Sequence, residues 1–517
     1  MSGRCALCLA GQPRLHQEGV IPAPSTIWRH GERLPEGRPR TLAELCAAAE
    51  VVAAGAVVLV DAGRSWTWPE LLLAAGRLAR TWAPSVTSGS VIVVLLPNGA
   101  AHLLAELAAW HLGAIAAPLW PGFSPAARAA LVQRLGPVLV VADDGADARW
   151  SAAEVLAAAD RTGPADPWRP AQPDDPALIL ATSGSTGDPR LVKLSHDNLC
   201  SQQSAFAMLW PDVGPGDRIA GYLPWHHSFG ALAERLWSLC RGACLTVVPG
   251  GGRDQAAFIA ILRAVRPTRF LSVPKLHQLA QASGALDLAA LRWAFTAGAP
   301  LGQATEDWYD KRGIPLIEGW GLTESSPSAT ITRGEPRQSG IVGVPIPGVA
   351  VGVQPDGRIL VAGPGVMLGY VDGPAGLGQD ADGARCIDSG DLGQWSAAGL
   401  ILGGRADRTV KLANGEKADL GAIEQFLESV AGVSCAAVAL RAGHLRAVLV
   451  PAVSLDVASC RRALQAWNLA APAPWLRVLD ATWIDRPATA ADGLLTASHK
   501  TSRAALLAHP AAQSLGD

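Results

Sequence analysis

The stretch from Leu178 to Asn198 reads LILATSGSTGDPRLVKLSHDN. Its first four residues, Leu178 to Ala181, are apolar and form the end of a buried strand. The chain then changes character within one residue, to Thr182-Ser183-Gly184-Ser185-Thr186-Gly187. Glycines let the backbone turn tightly and bring its N–H groups close to an anion. The hydroxyls add side-chain donors, and Arg190 and Lys193 add positive charge just beyond. Strand, small hydroxylated loop and basic continuation together suit a polyphosphate. The loop is not the G-x-x-x-x-G-K-[ST] pattern, because Pro189 stands where the second glycine would be. A flexible Ser/Gly linker is the competing reading, and it fits poorly between a buried strand and a basic, amphipathic continuation.

A chain of 517 residues is too long for one compact core and predicts two or more domains. With 49% hydrophobic and 17% charged residues it is a well-buried globular protein and not a disordered one. A net charge of −2 removes any global electrostatic case for nucleic acid or an acidic membrane as partner. Eighteen Trp stand against seven Phe and three Tyr, so most indoles are expected at ordinary core positions. Nine scattered cysteines, without a second C-x-x-C to complete the one at Cys5 and Cys8, predict reduced thiols and a cytoplasmic location and no zinc site. The apolar patch Cys5 to Ala10 is too short for a signal peptide. The stretch Val91 to Trp120, broken by Asn98, His102, Glu106 and His111, reads as strand then helix and not as a membrane span.

Residues 1 to about 40, rich in Pro, Gly and Arg, predict a surface-running extension. From Thr41 onward strands (57–61, 91–96, 138–142) alternate with helices (68–82, 101–112), which argues for parallel α/β layers. The Pro- and Asp-rich segment Gly163 to Pro176 separates this lobe from a second of similar build, with strands near 218–223, 245–248 and 270–273 and helices at 230–240 and 256–265. Short Gly- and Pro-rich strands around 340–369 predict a small β subdomain. A change of pattern after Gly403 predicts an α+β tail.

Further segments carry chemistry. Gly319-Trp320-Gly321-Leu322-Thr323-Glu324 offers an aromatic face, a hydroxyl and a carboxylate, the last a hard oxygen donor suited to Mg2+; read alone it is equally a buried Trp before a capping Thr. Ala297-Gly298-Ala299-Pro300 is a tight turn after a strand. Ser389-Gly390-Asp391 supplies a carboxylate able to accept two O–H donors. Gly404-Arg405-Ala406-Asp407-Arg408 is, by itself, a surface ion pair. The Asn-Gly in Lys411 to Lys417 is a hairpin turn, and Leu223-Pro224-Trp225-His226-His227-Ser228-Phe229-Gly230 places two histidines just after a strand. Leu494 to Arg503 contains Lys500.

These segments, in this order from Val58 to Arg503, resemble the signatures of the AMP-forming adenylating enzymes: acyl- and aryl-CoA synthetases, luciferases and the adenylation domains of peptide synthetases. The resemblance implies an α/β fold, with a large N-terminal domain (residues 1–403) of two α/β lobes plus a small β subdomain, followed by a small mobile α+β C-terminal domain (404–517) hinged near Asp407. It implies ATP, Mg2+ and coenzyme A as cofactors and cosubstrates, a small-molecule carboxylic acid as substrate, and an acyl carrier protein as the alternative acceptor. It assigns the phosphates to Thr182, Ser183, Gly184, Ser185, Thr186, Gly187 and Arg190, the adenine to Gly298, Ala299, Pro300, Gly319 and Trp320, and the ribose to Asp391 and Arg405. Glu324 and Thr186 would hold the metal. Lys500, Thr323, Glu324 and His227 would serve catalysis, Trp225, His226, His227, Gly298 and Gly321 would line the acid pocket, and Gly415 would line the thiol tunnel.

Two positions depart from the family. Trp320 stands where Tyr is usual, and His499 where a Gly usually precedes the lysine. The tail signature and the Asn-Gly-Glu-Lys loop lean toward fatty acyl-CoA synthetases. The indoles of Trp225 and Trp320, bracketing the pocket segments, lean toward a shorter, aromatic or otherwise compact acid.

Overall fold

Helix starts in this chain are written into the sequence. Thr41, Thr67, Ser151 and Ser195 each cap a helix, and Glu44, Glu70, Glu154 and Asn198, three residues on, bond back to complete a capping box. The computed structural model describes residues 23, 25–145, 148–182, 189–252, 254–299, 301–333, 340–373, 376–412, 417–441, 444–453, 456–471, 474–484, 486–489, 492–495 and 501–509.

The first α/β lobe is built on a six-stranded sheet. Its strands run in the order Leu139–Ala142, Val91–Leu95, Ile115–Pro118, Pro176–Thr182, Arg190–Ser195 and Gly369–Tyr370. The first four are mutually parallel, whereas Arg190–Ser195 folds back antiparallel on Pro176–Thr182. In the second lobe Arg269–Ser272, Trp293–Ala297 and Leu316–Trp320 are parallel neighbours. Leu316–Trp320 and Trp293–Ala297 both deliver their C-terminal ends to one side, where ligands of open α/β sheets are bound. A four-stranded sheet joins Val57–Asp61 to Cys244–Val247 and Arg218–Gly221 in parallel.

The expected surface extension is partly wrong. Ile27–His30 is the edge strand of the β subdomain, antiparallel to Ala350–Val353 with Trp28 opposite Gly352. Arg38 and Arg40 then pair with the buried Asp197 at 2.7 and 3.1 Å. A four-residue edge strand alternates too briefly to leave a periodic signal. The expected helix 230–240 also differs. Phe229–Leu236 is a π-helix and only Trp237–Cys240 is α. Within that wide turn two adjacent buried polar side chains reach different partners. The Glu234 carboxylate accepts from the Leu223 N–H at 3.1 Å, and Arg235 pairs with Glu106 at 2.5 Å.

Five indoles, Trp66, Trp68, Trp110, Trp225 and Trp237, are wholly buried, as the Trp-for-Phe composition predicted. The main core draws on hydrophobic residues as far as Leu402, with smaller clusters beside it, and those from Val410 onward build separate ones. In that tail the helix Leu420–Ser429 lies on a sheet of Val433–Arg441, His444–Pro451 and Val478–Trp483. Among the described residues no helix is long and apolar enough to cross a membrane.

Glu106→Gln should destabilise the protein by about 3–5 kcal/mol, because it strands the guanidinium of Arg235 in the core. Replacing both ions, Glu106→Leu with Arg235→Met, should recover most of that loss. Thermal melts of the three proteins decide it, and a single variant as stable as wild type would refute it.

Candidate functional site

At the C-terminal end of Leu316–Trp320 the chain cannot carry side chains. A Cβ on Gly321 would lie 2.1 Å from the Pro327 carbonyl oxygen, and one on Gly319 would lie 2.6 Å from the Phe295 ring. This close packing brings the following turn, Thr323–Ser325, against the segment after Arg218–Gly221. The hydroxyls of Ser228 and Thr323 are 3.0 Å apart and both residues are buried. The two motifs, 95 residues apart in sequence, therefore share one wall. His226 and His227 are half-buried in the same segment, and His227 Nδ1 accepts from the Phe229 amide at 3.4 Å.

Glu324 is partly exposed, and Tyr370 donates its hydroxyl to Glu324 Oε1 at 2.9 Å. Tyr370 sits opposite Val192 in the sheet, and Arg190 lies over its ring, 3.7 Å from the centroid. Burial and the Glu324 carboxylate both push the Tyr370 hydroxyl well above its ordinary pKa, so it remains a donor. The sequence reading assigned Tyr370 no role. Its contact with Glu324 is the functional signal it missed, and no local pattern marks it, because the partner lies 46 residues away.

Asp391 and Arg405 face each other across the Arg385–Trp395 and Leu400–Arg405 strands. Arg405 Nη1 donates to Asp391 Oδ1 at 3.2 Å, and its Nε donates to Asp407 at 3.1 Å. The Trp320 indole N–H donates to Asp391 Oδ2 at 2.8 Å. Burial raises the Asp391 carboxyl, against the opposing pull of Arg405 and the indole N–H. Burial likewise works against the Arg405 charge, yet Asp391 and Asp407 more than offset it and hold that guanidinium above its usual pKa. Gly298, at φ +87, and Ala299 follow the parallel strand Trp293–Ala297 and are exposed. Thr182 faces Arg190 across the hairpin.

One expectation is overturned. Trp225 has no exposed surface. Its ring meets His102 edge-on at 5.5 Å and carries the Arg235 guanidinium 4.9 Å above it. Its amide donates to Asn98. The indole is a core wedge and caps no open acid pocket, because the buried ion pair behind it draws the ring inward. Phe229 and Phe295, both buried, have ring centroids 5.7 Å apart, and Phe295 lies against Gly319.

Ser183, Gly184, Ser185, Thr186, Gly187, Pro300, Gly415 and Lys500 lie outside the described residues. Near Lys500, Leu495 bridges to Thr501, Thr501 donates to Glu428 at 2.7 Å, and Arg503 donates to Glu424 at 2.7 Å. Among the described residues no group of three or more His, Cys, Asp or Glu could hold a metal ion by itself.

A glycine-tightened turn at a parallel sheet end thus carries an aromatic, a hydroxyl and a carboxylate, and a second carboxylate, Asp391, meets it from another strand. The chain belongs to the AMP-binding enzyme family, which it matches over residues 47–371. It is 31% identical over 417 residues to the phosphinothricin tripeptide synthetase PhsC of Streptomyces viridochromogenes, spanning 73% of this chain and 37% of that one. The chain likewise spans only 5% and 16% of two further peptide synthetases it matches. With the feruloyl-CoA synthase of an Amycolatopsis species it shares 28% identity over 75% of this chain and 84% of the relative. The fold is that of the o-succinylbenzoate coenzyme A synthetase MenE of Bacillus subtilis in complex with AMP. That match has a TM-score of 0.75 at 19% identity and covers 89% of this chain and 97% of that one. The MenE complex with ATP and a magnesium ion matches at 0.74 and 21%, covering 89% and 98%.

Gly321→Ala should cost about 1–3 kcal/mol or more, since the obstructing atoms are backbone and cannot rotate away. Gly214→Ala, whose Cβ would meet only the Arg241 carbonyl oxygen at an ordinary 3.7 Å, should be nearly silent. Urea unfolding of the pair is the check, and equal stabilities would refute the close packing.

Proposed function

We propose that this protein is an ATP-dependent carboxylic acid–CoA ligase of the cytoplasm, acting through an acyl-AMP intermediate on an aromatic or otherwise compact acid. The observation that carries the reading is the convergence of Trp320, Thr323, Glu324, Asp391 and Arg405 at one sheet end, joined through Tyr370 to the strand Arg190–Ser195. MenE, of the same fold, is described with AMP and with ATP and magnesium. The feruloyl-CoA synthase relative supports a CoA acceptor and an aromatic acid.

A carboxylate is a poor electrophile because its leaving group would be oxide. In the proposed first step a carboxylate oxygen attacks the α-phosphorus of ATP and the bond to the bridging pyrophosphate oxygen breaks, giving acyl-AMP and pyrophosphate. Trp320, with Gly298, Ala299, Pro300 and Gly319, holds the adenine, and Asp391 and Arg405 take the ribose hydroxyls. Thr182 to Gly187 with Arg190 receive the phosphates, and Thr323 the α-phosphate. His226, His227, Gly298 and Gly321 border the acid. Glu324 offers a hard carboxylate oxygen beside the one taken by Tyr370, which fits Mg2+, and Thr186 is its companion. Bound there, Mg2+ would neutralise phosphate charge. Lys500 stabilises charge that develops in this step. In the second step the CoA thiol loses its proton and attacks the acyl carbon, and AMP leaves. We assign the boundary of the two domains to 403/404, the hinge to Asp407 and the thiol path to Gly415.

The peptide-synthetase relatives favour one second reading, transfer to a carrier-bound phosphopantetheine. Acid-dependent ATP–pyrophosphate exchange across an acid panel, followed by acyl-CoA formation without any carrier protein, tests both. Exchange without acyl-CoA would select the carrier reading, and no exchange with any acid would sink the adenylation reading.

Lys500→Ala should abolish exchange while thiolysis of supplied acyl-AMP survives, because the lysine serves only the first step. Undiminished exchange in the variant would remove Lys500 from its role. Gly415→Leu should do the reverse, forming acyl-AMP at nearly the native rate but turning over slowly with CoA. A melting temperature near wild type must accompany that result, and equal loss of both half-reactions in a folded variant would refute the tunnel assignment.

A further inference from the structure

The tryptophan that replaces the family's usual tyrosine does more than present a ring. Its indole N–H donates to Asp391 Oδ2 at 2.8 Å, while Arg405 occupies Oδ1 at 3.2 Å. The Ser389 hydroxyl accepts the Asp391 amide at 3.1 Å, which fixes the backbone under the carboxylate. Donors of different elements thus hold both oxygens, and the carboxylate plane cannot turn. Each oxygen keeps a lone pair for a further donor. Trp320 is 8% exposed, so the N–H has little water to compete for it. A tyrosine there would carry its only donor at the far end of the ring, out of line with this contact.

We propose that Trp320 is a positioning residue for Asp391, and that through this bond it sets the enzyme's preference for a ribonucleotide over a deoxyribonucleotide. The inference rests on the proposed reading of Asp391 as the ribose acceptor. A base stacked on the Trp320 face and a ribose hydroxyl on Asp391 would be held by one rigid unit, so base and sugar are recognised together. Without the indole donor, Arg405 alone orients the carboxylate, and Arg405 is shared with Asp407.

The test is calorimetric titration of ATP, 2′-deoxy-ATP and 3′-deoxy-ATP into the full chain. It compares wild type, Trp320→Phe, Trp320→Tyr and Asp391→Asn, with melting temperatures alongside. Wild type should prefer ATP to at least one deoxynucleotide, and Asp391→Asn should erase that preference. Trp320→Phe and Trp320→Tyr keep a stacking ring and should each lose about ten-fold of the preference, as for one hydrogen bond to a charged group. If either folded variant weakens all three nucleotides equally, Trp320 only stacks and the proposal is overturned. If wild type shows no preference, or Asp391→Asn keeps it, the ribose assignment of Asp391 itself falls and takes the proposal with it.

Discussion

Two ions with no solvent contact meet between the helix Ala100–His111 and the wide turn Phe229–Leu236. Arg235 lies 2.5 Å from Glu106 and both side chains are wholly buried. Removing two such charges from water costs several kcal/mol each, and a well-packed apolar pair would serve stability as well. What the pair supplies is a single permitted placement. His102, 3.0 Å from the other Glu106 oxygen, completes the carboxylate. Burial alone would raise the Glu106 carboxyl, and Arg235 and His102 overcome it and hold it below its ordinary value. The Trp225 ring lies beneath the guanidinium, so the segment from Trp225 to Ser228 has its position dictated from the core side. Ser228 then meets Thr323, and the two motif segments are set relative to each other.

The same wall depends on atoms that are missing. Gly319 and Gly321 permit Phe295 and the Pro327 carbonyl to close on the strand end. That approach turns Trp320 toward Asp391 and Thr323 toward Ser228. A residue with any side chain at 321 would separate these pairs by more than a hydrogen bond tolerates, since good bonds span only about 2.7–3.2 Å. The geometry is thus fixed twice, by a buried charge pair on one side and by the lack of side chains on the other.

Much of this was legible in the sequence, and the failures have physical causes. Alternating periods placed the strands Val57–Asp61 and Val91–Leu95 and the helix Trp68–Trp82 to within a residue, because each carries a full apolar face and, at Thr67, its own cap. The family's motifs singled out Thr323, Glu324, Asp391 and Arg405, which the fold brings to one place. Ile27–His30 escaped because an edge strand borrows its stability from a partner more than 300 residues away. The π-helix escaped because a helical wheel of Phe229 to Leu236 looks ordinary. Trp225 was misread as well. A large aromatic in a pocket motif looks like a cap until Arg235, ten residues on, is seen to hold it inward. Tyr370 carries no local signal at all, and its meaning lies in a carboxylate it meets only in three dimensions.

The electrostatics of the assembled site divide its labour. Around Arg405 stand Asp391, Asp407 and, further off, Glu324, one cation among three carboxylates. Such a cluster gives no Coulomb attraction to a polyphosphate. It suits neutral hydroxyls, the role proposed for it, since a buried carboxylate accepts them well once its own plane is held. The phosphate charge of the proposed substrate must be met elsewhere, by backbone N–H groups of a glycine-rich loop and by cations approaching from other segments. Arg190, stacked on Tyr370, is the described cation nearest that loop in the chain. Tyr370 in turn bonds Glu324, so the cationic and acidic halves are joined through one phenol ring. An enzyme that must bind a nucleotide, release pyrophosphate and then expel AMP gains from this separation. Base and ribose can stay held by the acidic framework while the charge that holds the phosphates changes between steps.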